Sequence, residues 1–280
     1  MSFTRPPPPV PDALLSYPAP HVLLVTLNRP RQLNAMTRAM HTQLHRLWTW
    51  FDAEPSLRCA VLTGRGRAFS AGADLLEWNE RNAAGVASSE DRGAESWAAG
   101  GFGGLSNRRG KKPVVAAVNG LCLGGAMEMI LNVDLVIAGA DATFGLPEAK
   151  IGVVAIAGAL PRLTRIVGRQ RASEMALLGR THSAKQLHEW GVVNKVVEGG
   201  AGDVVDEALR WAAGVVGNSP DSIIVSREGL LGGWEAEDPW ASTRRVDEGV
   251  YRSMDGGENM KEGVASFVEK RRPVWKDSKL

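Results

Sequence analysis

A disulfide framework, a strong net charge and a membrane-spanning run are all missing from this sequence. Its 280 residues include only two cysteines, Cys59 and Cys122, and both lie in apolar stretches typical of buried reduced thiols. With 33 basic and 31 acidic side chains the net charge is +2, so we expect no nucleic-acid partner. Glu128 and Asn119 interrupt the long apolar stretch at residues 113–133, which therefore predicts no membrane span. These absences predict a soluble protein of a reducing compartment.

Motifs for nucleotides, zinc and a nucleophilic serine are also missing. No stretch has the G-x-G-x-x-G or G-x-x-x-x-G-K-[ST] spacing, which argues against hydride transfer and nucleotide hydrolysis. His41 and His45 have the i, i+4 spacing of a helical metal site, but no third ligand accompanies them, so we favour a solvated helix face. Ser70 in "AFSAG" lacks the G-x-S-x-G surroundings of a nucleophile. We expect neither a metal site nor a serine hydrolase.

Short apolar strands alternate with amphipathic helices over most of the chain, which predicts an α/β core. Residues 79–110 have no clear period and predict an excursion, with a helix at about 95–105. From residue 219 onward the pattern is helical throughout, so a helical region should follow the core. The predicted strands are 21–27, 59–63, 114–118, 135–138, 142–145 and 192–198, and the predicted helices include 36–51 and 204–216.

One carboxylate, Glu128, lies within the apolar stretch "GLCLGGAMEMILNVD". A buried carboxylate without a partner is costly, so such a residue usually has a shifted pKa or a chemical role. A second carboxylate, Glu148, follows in "ATFGLPEAKIG". If the chain between them folds back, both face one pocket, where one holds a proton while the other acts as a base. The alternative for Glu148 is an ion pair with Lys150 or Arg162 at a helix start.

Two turns rich in small residues connect predicted strands to predicted helices. "RAFSAGADL" follows the strand that ends at Thr63, and "NGLCLGGAME" follows the strand that ends at Val118. Amides at a helix N-terminus lack intrahelical acceptors and lie at the positive end of the helix dipole, so they suit a developing negative charge. If the two strands are neighbours, the two turns can direct two N–H groups at one oxygen and form an oxyanion hole.

Six segments of the chain resemble the crotonase, or enoyl-CoA hydratase/isomerase, superfamily in order and spacing. The resemblance covers about residues 20–275 and implies an α/β spiral of ββα units with a helical C-terminal region that packs trimers or dimers of trimers. It implies an acyl-CoA substrate, with CoA carried by the substrate and no other cofactor. The segments are "NRPRQLNAM", "GRAFSAGADL", "KPVVAAVNGLCLGGAMEMILNVDLVIA", "ATFGLPEAKIGVV", "GRTHSAKQLHEWGVVNKVVE" and "FVEKRRPVWK".

The resemblance also implies roles for individual residues. The oxyanion amides of the family fall on Ala73 and Gly125, and its two hydratase glutamates fall on Glu128 and Glu148. In that scheme Glu128 activates a water for attack at the β-carbon, and Glu148 supplies the α-proton. The implied substrate-binding residues are Ala71, Asp74 and Leu75, beside the oxyanion turn, and Arg31, near the CoA phosphates.

Because both glutamates are present, the resemblance favours an enoyl-CoA hydratase-type hydro-lyase, serving peroxisomal fatty-acid β-oxidation or a related acyl-CoA pathway. Three alternatives stay open: a Δ3-Δ2-enoyl-CoA isomerase, an acyl-CoA thioester hydrolase, and a non-catalytic CoA-binding or interaction protein of the same fold. "VVAIAGALPRL" replaces the Gly-rich run usual after the second glutamate, and Leu76 stands where many short-chain hydratases have a lysine. We therefore expect an acyl pocket of a different shape.

The chain divides into four predicted segments. A proline-rich arm at residues 1–20 precedes a crotonase core at 21–217, and a helical C-terminal region at 218–277 follows. Residues 278–280 form the tripeptide address that a peroxisomal import receptor reads, so we expect a peroxisomal protein with an exposed terminus. The receptor ligand consists of Ser278, Lys279 and Leu280.

Overall fold

Two β-sheets organise the computed structural model, which describes residues 3–84, 100–235 and 237–280. The strands are β1 (Ala13–Ser16), β2 (Val22–Leu27), β3 (Cys59–Gly64), β4 (Ala68–Ser70), β5 (Val114–Val118), β6 (Leu121–Leu123), β7 (Leu135–Gly139), β8 (Thr143–Gly145), β9 (Thr181–Ser183) and β10 (Lys195–Val197). The larger sheet has the order β1-β2-β3-β5-β7-β10, and the smaller has the order β4-β6-β8-β9. The pairs β1–β2 and β8–β9 are antiparallel and the others are parallel.

Helices connect the parallel strands and dominate the C-terminal part of the chain. None of the described helices is long and apolar enough to cross a membrane. Short 3-10 turns occur at Pro30–Gln32, Phe102–Gly104 and Glu148–Ile151. The helices are α1 (Arg38–Ala53), α2 (Leu75–Ala83), α3 (Gly125–Ile130), α4 (Ala159–Val167), α5 (Arg169–Leu178), α6 (Ala184–Glu189), α7 (Ala201–Val216), α8 (Pro220–Trp234), α9 (Pro239–Val246), α10 (Arg252–Met254) and α11 (Glu258–Val268), with a π-helical turn at Asp247–Tyr251.

The larger sheet is covered on both faces. Every residue of β3 and β5 is buried, which agrees with their continuous apolar sequences. Because side chains alternate along a strand, Val61 packs on one face with Val204 and Ala208 of α7, while Leu62 packs on the other with Leu44 of α1. The larger sheet therefore lies between two layers of buried apolar side chains.

Several short strands were not predicted from the sequence. The predicted arm at residues 1–20 contributes β1, which pairs with β2 from Ala13 opposite Leu27 to Ser16 opposite Leu24. Strands β4, β6 and β9 have three residues each, too few to show a two-residue period. Of the helix predicted at about 95–105, residues 95–99 lie outside the described part of the chain.

The helical C-terminal region ends earlier than predicted. Helix α11 stops at Val268, so the expectation of helix throughout the tail is wrong for residues 271–280. The tail lies against the core instead, where Arg58 Nη2 donates to Trp275 O and to Asp277 Oδ1, both at 3.2 Å. Lys111 Nζ donates to Leu280 O at 2.9 Å. The terminus is therefore partly covered rather than fully exposed.

Candidate active site

A cavity of about 520 Å³ opens beyond the carboxyl ends of β4, β6 and β8. These three strands are parallel neighbours, so the turns that follow them meet at one edge of the sheet, a usual place for a ligand. Of the predicted site residues, Arg31 is not part of the cavity lining. The predicted residues that line the cavity are Ala71, Ala73, Asp74, Leu75, Gly125, Glu128 and Glu148.

The two predicted turns have the expected sequence positions but follow different strands. The prediction attached them to the strands that end at Thr63 and Val118, which belong to the larger sheet. In the structure each turn follows a short strand of the smaller sheet, β4 for the first and β6 for the second. Since β4 and β6 pair directly, they bring the two turns together.

Ala73, in the first turn, is held by a backbone bridge to Met36. Met36 N donates to Gly72 O at 2.8 Å, and Asp74 N donates to Met36 O at 2.9 Å. The two hydrogen bonds of this parallel bridge flank Ala73. Because N–H groups alternate in direction along an extended chain, the Ala73 N–H points away from Met36. Within the described residues the Ala73 N–H has no acceptor, and Ala73 lines the cavity. Its amide is therefore available to an oxygen of a ligand.

Gly125, in the second turn, is the first residue of α3, so its N–H has no intrahelical acceptor. The two turns meet at Gly72, whose φ of 91° lies in the left-handed region that favours glycine. A Cβ atom on Gly72 would lie 2.7 Å from Leu123 O and 3.1 Å from Gly125 N. This close approach places the turn of Ala73 beside the Gly125 amide, as an oxyanion hole requires.

Glu128 projects from α3 and is only 4% exposed. Its Oε1 accepts hydrogen bonds from Ala157 N at 2.7 Å and from Ala159 N at 3.4 Å. Burial raises the pKa of Glu128 to about 7; the two amides and Arg162 oppose this rise, whereas the charge of Glu148 adds to it. Both protonation states are therefore populated near neutral pH, which suits a group that accepts and returns a proton.

Glu148 begins the 3-10 turn beyond β8. A Cβ atom on Gly124 would lie 3.1 Å from Glu148 Oε1, so the carboxylate lies directly over the second turn. Oε2 is buried and has no hydrogen-bond partner in the described part of the chain, and burial raises the pKa of Glu148. No ion pair joins Glu148 to Lys150 or Arg162 among the described residues. The structure therefore favours the pocket interpretation over the ion-pair alternative.

Asp74 caps the N-terminus of α2, where its Oδ1 accepts from Leu76 N at 3.1 Å and from Glu77 N at 3.3 Å. Arg29 Nη1 donates to Asp74 Oδ2 at 2.9 Å. Burial acts to raise the pKa of Asp74, but Arg29 and the two amides lower it below its ordinary value. Arg31 is exposed, so its contact with CoA phosphates stays a prediction. Sequence reasoning missed Arg29, which pairs with the cavity-lining Asp74, and Arg38, which lines the cavity itself.

His41 is a second residue that sequence reasoning misplaced. The helix face predicted to be solvated is buried at this position, and His41 lines the cavity. Its Nδ1 accepts a hydrogen bond from Gly103 N at 3.0 Å, and its ring lies edge-on to Phe102. Burial, aided by the charge of Arg38, lowers the pKa of His41 to about 4, so the ring is neutral at physiological pH. The sequence did carry a signal for the burial of His41, because Leu44 lies one helical turn further along on the apolar face of the helix.

No cluster of three or more metal-ligating side chains occurs within the residues that the structure describes. Much of the cavity lining is apolar instead. The side chains of Leu75, Ile151, Val154 and Ile156 line the cavity while each remains more than half exposed. Large exposed apolar side chains around a concave site are typical of a ligand-binding surface.

Comparison with known proteins agrees with this geometry. The sequence profile of the family described as enoyl-CoA hydratase/isomerase matches residues 19–278. The chain belongs to this enoyl-CoA hydratase/isomerase family. The mevalonyl-coenzyme A hydratase of Beauveria bassiana is 68% identical over 281 residues and is matched over 100% of both chains. The mevalonyl-coenzyme A hydratase of Aspergillus fumigatus is 50% identical, over 98% of both chains. The protein is therefore a hydratase-type enzyme of the crotonase superfamily.

Solved structures of the family confirm the predicted fold. The enoyl-CoA hydratase from Bacillus anthracis superposes with a TM-score of 0.83 at 32% identity, covering 95% of this chain and 100% of that chain. The enoyl-CoA hydratase from Mycobacterium tuberculosis H37Rv gives the same TM-score at 30% identity, covering 96% and 100%. The crotonase-like α/β core and the helical C-terminal region are thus both established.

Proposed function

We propose that this enzyme interconverts mevalonyl-CoA and the α,β-unsaturated thioester formed from it by loss of water. The observation that carries the proposal is one cavity that combines buried Glu128 and half-buried Glu148, whose Oε2 atom is buried, with two available backbone amides. Identity of 68% to a mevalonyl-coenzyme A hydratase supports the choice of acyl group. Within the general prediction of an acyl-CoA hydro-lyase, the substrate would be a branched thioester instead of a straight-chain fatty acyl-CoA.

The proposed roles follow from the positions of the four groups. The amides of Ala73 and Gly125 donate to the thioester oxygen and stabilise the negative charge that it gains. In dehydration Glu148 takes a proton from the α-carbon, the released electron pair forms the double bond, and the β-hydroxyl leaves as water with a proton from Glu128. Hydration runs the same steps in reverse, with Glu128 taking the proton of the attacking water.

The acyl group of mevalonyl-CoA has a methyl group and a hydroxyl on its β-carbon and a second hydroxyl at its end. The apolar side chains of Ile151 and Val154 suit the methyl group. A terminal hydroxyl requires polar surroundings, because burial of an unpaired hydroxyl is costly. Arg38, His41 and Thr42 are polar side chains of the same cavity lining.

The deciding experiment follows the ultraviolet absorbance of the conjugated enoyl thioester when purified protein is mixed with separate acyl-CoAs. We expect absorbance to change with mevalonyl-CoA or its dehydration product, at a rate at least tenfold above that with crotonyl-CoA. Glu148→Gln keeps the size of the side chain and serves as the inactive control.

Each other result points to a different enzyme. Faster turnover of crotonyl-CoA would replace the branched substrate with a straight-chain one. Formation of a conjugated product from a 3-enoyl-CoA, without hydration, would favour the isomerase alternative. Release of free CoA thiol would favour the thioester hydrolase, and binding without turnover of any acyl-CoA would favour a non-catalytic protein.

The proposed chemistry uses the CoA of the substrate and requires no metal or other cofactor. Carboxylates supply the proton transfers and amides supply the charge stabilisation, so no step needs a Lewis acid. Treatment with a chelator should leave kcat unchanged. Loss of activity that a divalent cation restores would contradict this part of the proposal.

We also propose the oligomer that the family resemblance implies, a homotrimer or a dimer of trimers. Large apolar side chains of the C-terminal helices are exposed, including Leu230, Trp240 and Phe267, and such surfaces are typical of subunit contacts. Sedimentation of the purified protein tests the proposal, and a monomer at micromolar concentration would contradict it.

Peroxisomal localisation is a further proposal, supported by the terminal tripeptide Ser278, Lys279 and Leu280. The contact between Lys111 and Leu280 would have to break before an import receptor could bind the terminus. A fluorescent protein fused to the N-terminus should collect in peroxisomes, and deletion of Leu280 should disperse it. A dispersed signal with the intact tail would contradict the proposal.

A further inference from the structure

Ser70, at the end of β4, is fully buried beside the first turn. Its Oγ donates a hydrogen bond to Asn34 O at 2.8 Å and accepts one from Gly72 N at 3.1 Å. The single proton of the hydroxyl is thus committed to a backbone carbonyl, which leaves Ser70 without the properties of a nucleophile. The hydroxyl instead joins two segments of backbone, the first at Asn34 and the second at Gly72.

Asn34 anchors the first of these segments. Its backbone adopts a φ of 56°, an uncommon conformation for a residue other than glycine. The side chain is fully buried, with Oδ1 accepting from Arg29 N at 2.9 Å and Nδ2 donating to Arg65 O at 3.0 Å and Ala68 O at 2.8 Å. Two residues further along the chain, Met36 forms the bridge that brackets Ala73.

Gly72 is the flexible point of the second segment, because glycine has no Cβ to restrict its two backbone torsions. The peptide that precedes Gly72 is held through its N–H by the Ser70 hydroxyl. The peptide that follows is held through Gly72 O by Met36 N. That second peptide also carries the Ala73 N–H. Both peptide planes around Gly72 are therefore fixed, and with them the direction of the Ala73 N–H.

We infer that Ser70 is a positioning residue, whose hydroxyl fixes the direction in which the Ala73 amide donates to the thioester oxygen. The inference rests on the proposed oxyanion role of Ala73. A hydrogen bond weakens steeply away from linearity, and an oxyanion hole stabilises charge only when its donors are already aligned. Without the hydroxyl, Gly72 N loses its acceptor, and the peptide between Ala71 and Gly72 loses its restraint through that N–H. The backbone bonds from Ala71 N to Leu33 O, from Met36 N to Gly72 O and from Asp74 N to Met36 O remain.

The test compares Ser70→Ala with Thr63→Val as a matched control. Thr63 is also a buried hydroxyl, which donates to Ala117 O at 2.9 Å, but it lies in the larger sheet and does not line the cavity. Loss of either hydroxyl should lower the melting temperature to a similar extent. Ser70→Ala alone should lower kcat by about tenfold, a fraction of the loss expected for removing a whole oxyanion donor, and leave KM within about twofold.

A spectroscopic measurement separates positioning from stability. The probe is 4-dimethylaminocinnamoyl-CoA, whose absorption should move to longer wavelength when hydrogen bonds polarise its carbonyl. We expect a clear red shift on the wild-type enzyme, an equal shift on Thr63→Val, and a smaller shift on Ser70→Ala. Ser70→Cys, whose thiol is a weaker donor and acceptor, should give an intermediate shift, and it carries the test if Ser70→Ala does not fold.

The outcomes distinguish this inference from the proposal beneath it. Absence of a red shift on the wild-type enzyme would overturn the oxyanion role of Ala73 and Gly125, and the Ser70 inference with it. A wild-type shift that both Ser70 variants retain, with kcat unchanged, would overturn the Ser70 inference alone.

Discussion

The two sides of the cavity are built in opposite ways. One side, the backbone wall, consists of residues 70–74 and 123–125, where main-chain groups face the ligand space and a positive-φ glycine lies in each turn. The other side, the apolar wall, consists of residues 147–156, which present Glu148 among large aliphatic side chains. Hydrogen bonds from distant segments restrain the backbone wall, whereas Ile151 and Val154 of the apolar wall are 55% and 60% exposed.

This difference suits the two walls to different tasks, the backbone wall to the reaction and the apolar wall to the choice of substrate. Amides of the main chain cannot be replaced by substitution, so the backbone wall suits the proposed stabilisation of negative charge on the thioester oxygen. Exposed aliphatic side chains can be exchanged at little cost in stability, so the apolar wall suits recognition of one acyl group. Glu148 is the exception, a catalytic candidate carried by the apolar wall.

The largest expected effect comes from removing the carboxylate of Glu148. Glu148→Ala should lower kcat by about a thousandfold with little change in KM, because a positioned acid or base contributes about 10²- to 10⁴-fold. Steady-state assays on the preferred acyl-CoA measure the loss. Lys150→Ala changes an exposed side chain on the same 3-10 turn and should keep full activity. Retention of a tenth of the wild-type kcat by Glu148→Ala would remove Glu148 from the mechanism.

The next effect compares one positive-φ glycine from each wall. Gly72 and Gly152 have φ values of 91° and 72°, so alanine is strained at both. A Cβ on Gly72 would meet Leu123 O at 2.7 Å, whereas a Cβ on Gly152 would meet nothing within 4 Å. Gly72→Ala should separate the two turns and lower kcat by about a hundredfold. Gly152→Ala should lower it by only a few-fold, and equal losses would contradict the contrast between the walls.

A third prediction concerns the pH dependence of stability. Since the folded-state pKa of Glu128 is about 7 and its ordinary value is 4.5, the folded protein binds this proton more tightly than the unfolded chain. The contribution of Glu128 to the free energy of unfolding is therefore fully present below pH 4.5 and is lost as pH rises through 7. Glu128→Gln should be more stable than wild type by up to about 3 kcal/mol at pH 8, with little difference at pH 4.

Denaturant unfolding of both proteins at the two pH values measures this effect. The amide at position 128 can keep its oxygen on Ala157 N and Ala159 N, so the variant isolates the cost of the charge. It should be inactive, because an amide cannot exchange the proton. A variant less stable than wild type at pH 8 would show that the charged carboxylate is stabilised in the folded protein.

The smallest effect belongs to the aliphatic side chains. Val154→Ala removes part of the apolar contact with the acyl group, so KM should rise by about fivefold or less while kcat stays unchanged. Competition between straight-chain and branched acyl-CoAs gives the change in selectivity. A loss of kcat comparable to that of Glu148→Ala would show that the apolar wall also aligns the catalytic groups.

Much of the fold could be predicted because long strands and helices carry their own periodicity. Helix α1 and the buried strands β3 and β5 are examples in which apolar spacing sufficed. The three-residue strands β4 and β6 could not be predicted in this way, although they carry the two turns of the proposed oxyanion hole. Their existence depends on pairing between segments about fifty residues apart, for which no local pattern exists.

The sequence by itself determined which residues are available for chemistry. Glu128 and Glu148 stand out because charge among apolar residues is costly, and the small residues of the two turns stand out because only they permit close backbone approach. The tertiary structure decided which of these groups meet. It pairs Arg29 with the cavity-lining Asp74, leaves Arg31 exposed and buries His41, since burial and partners depend on segments distant in the chain.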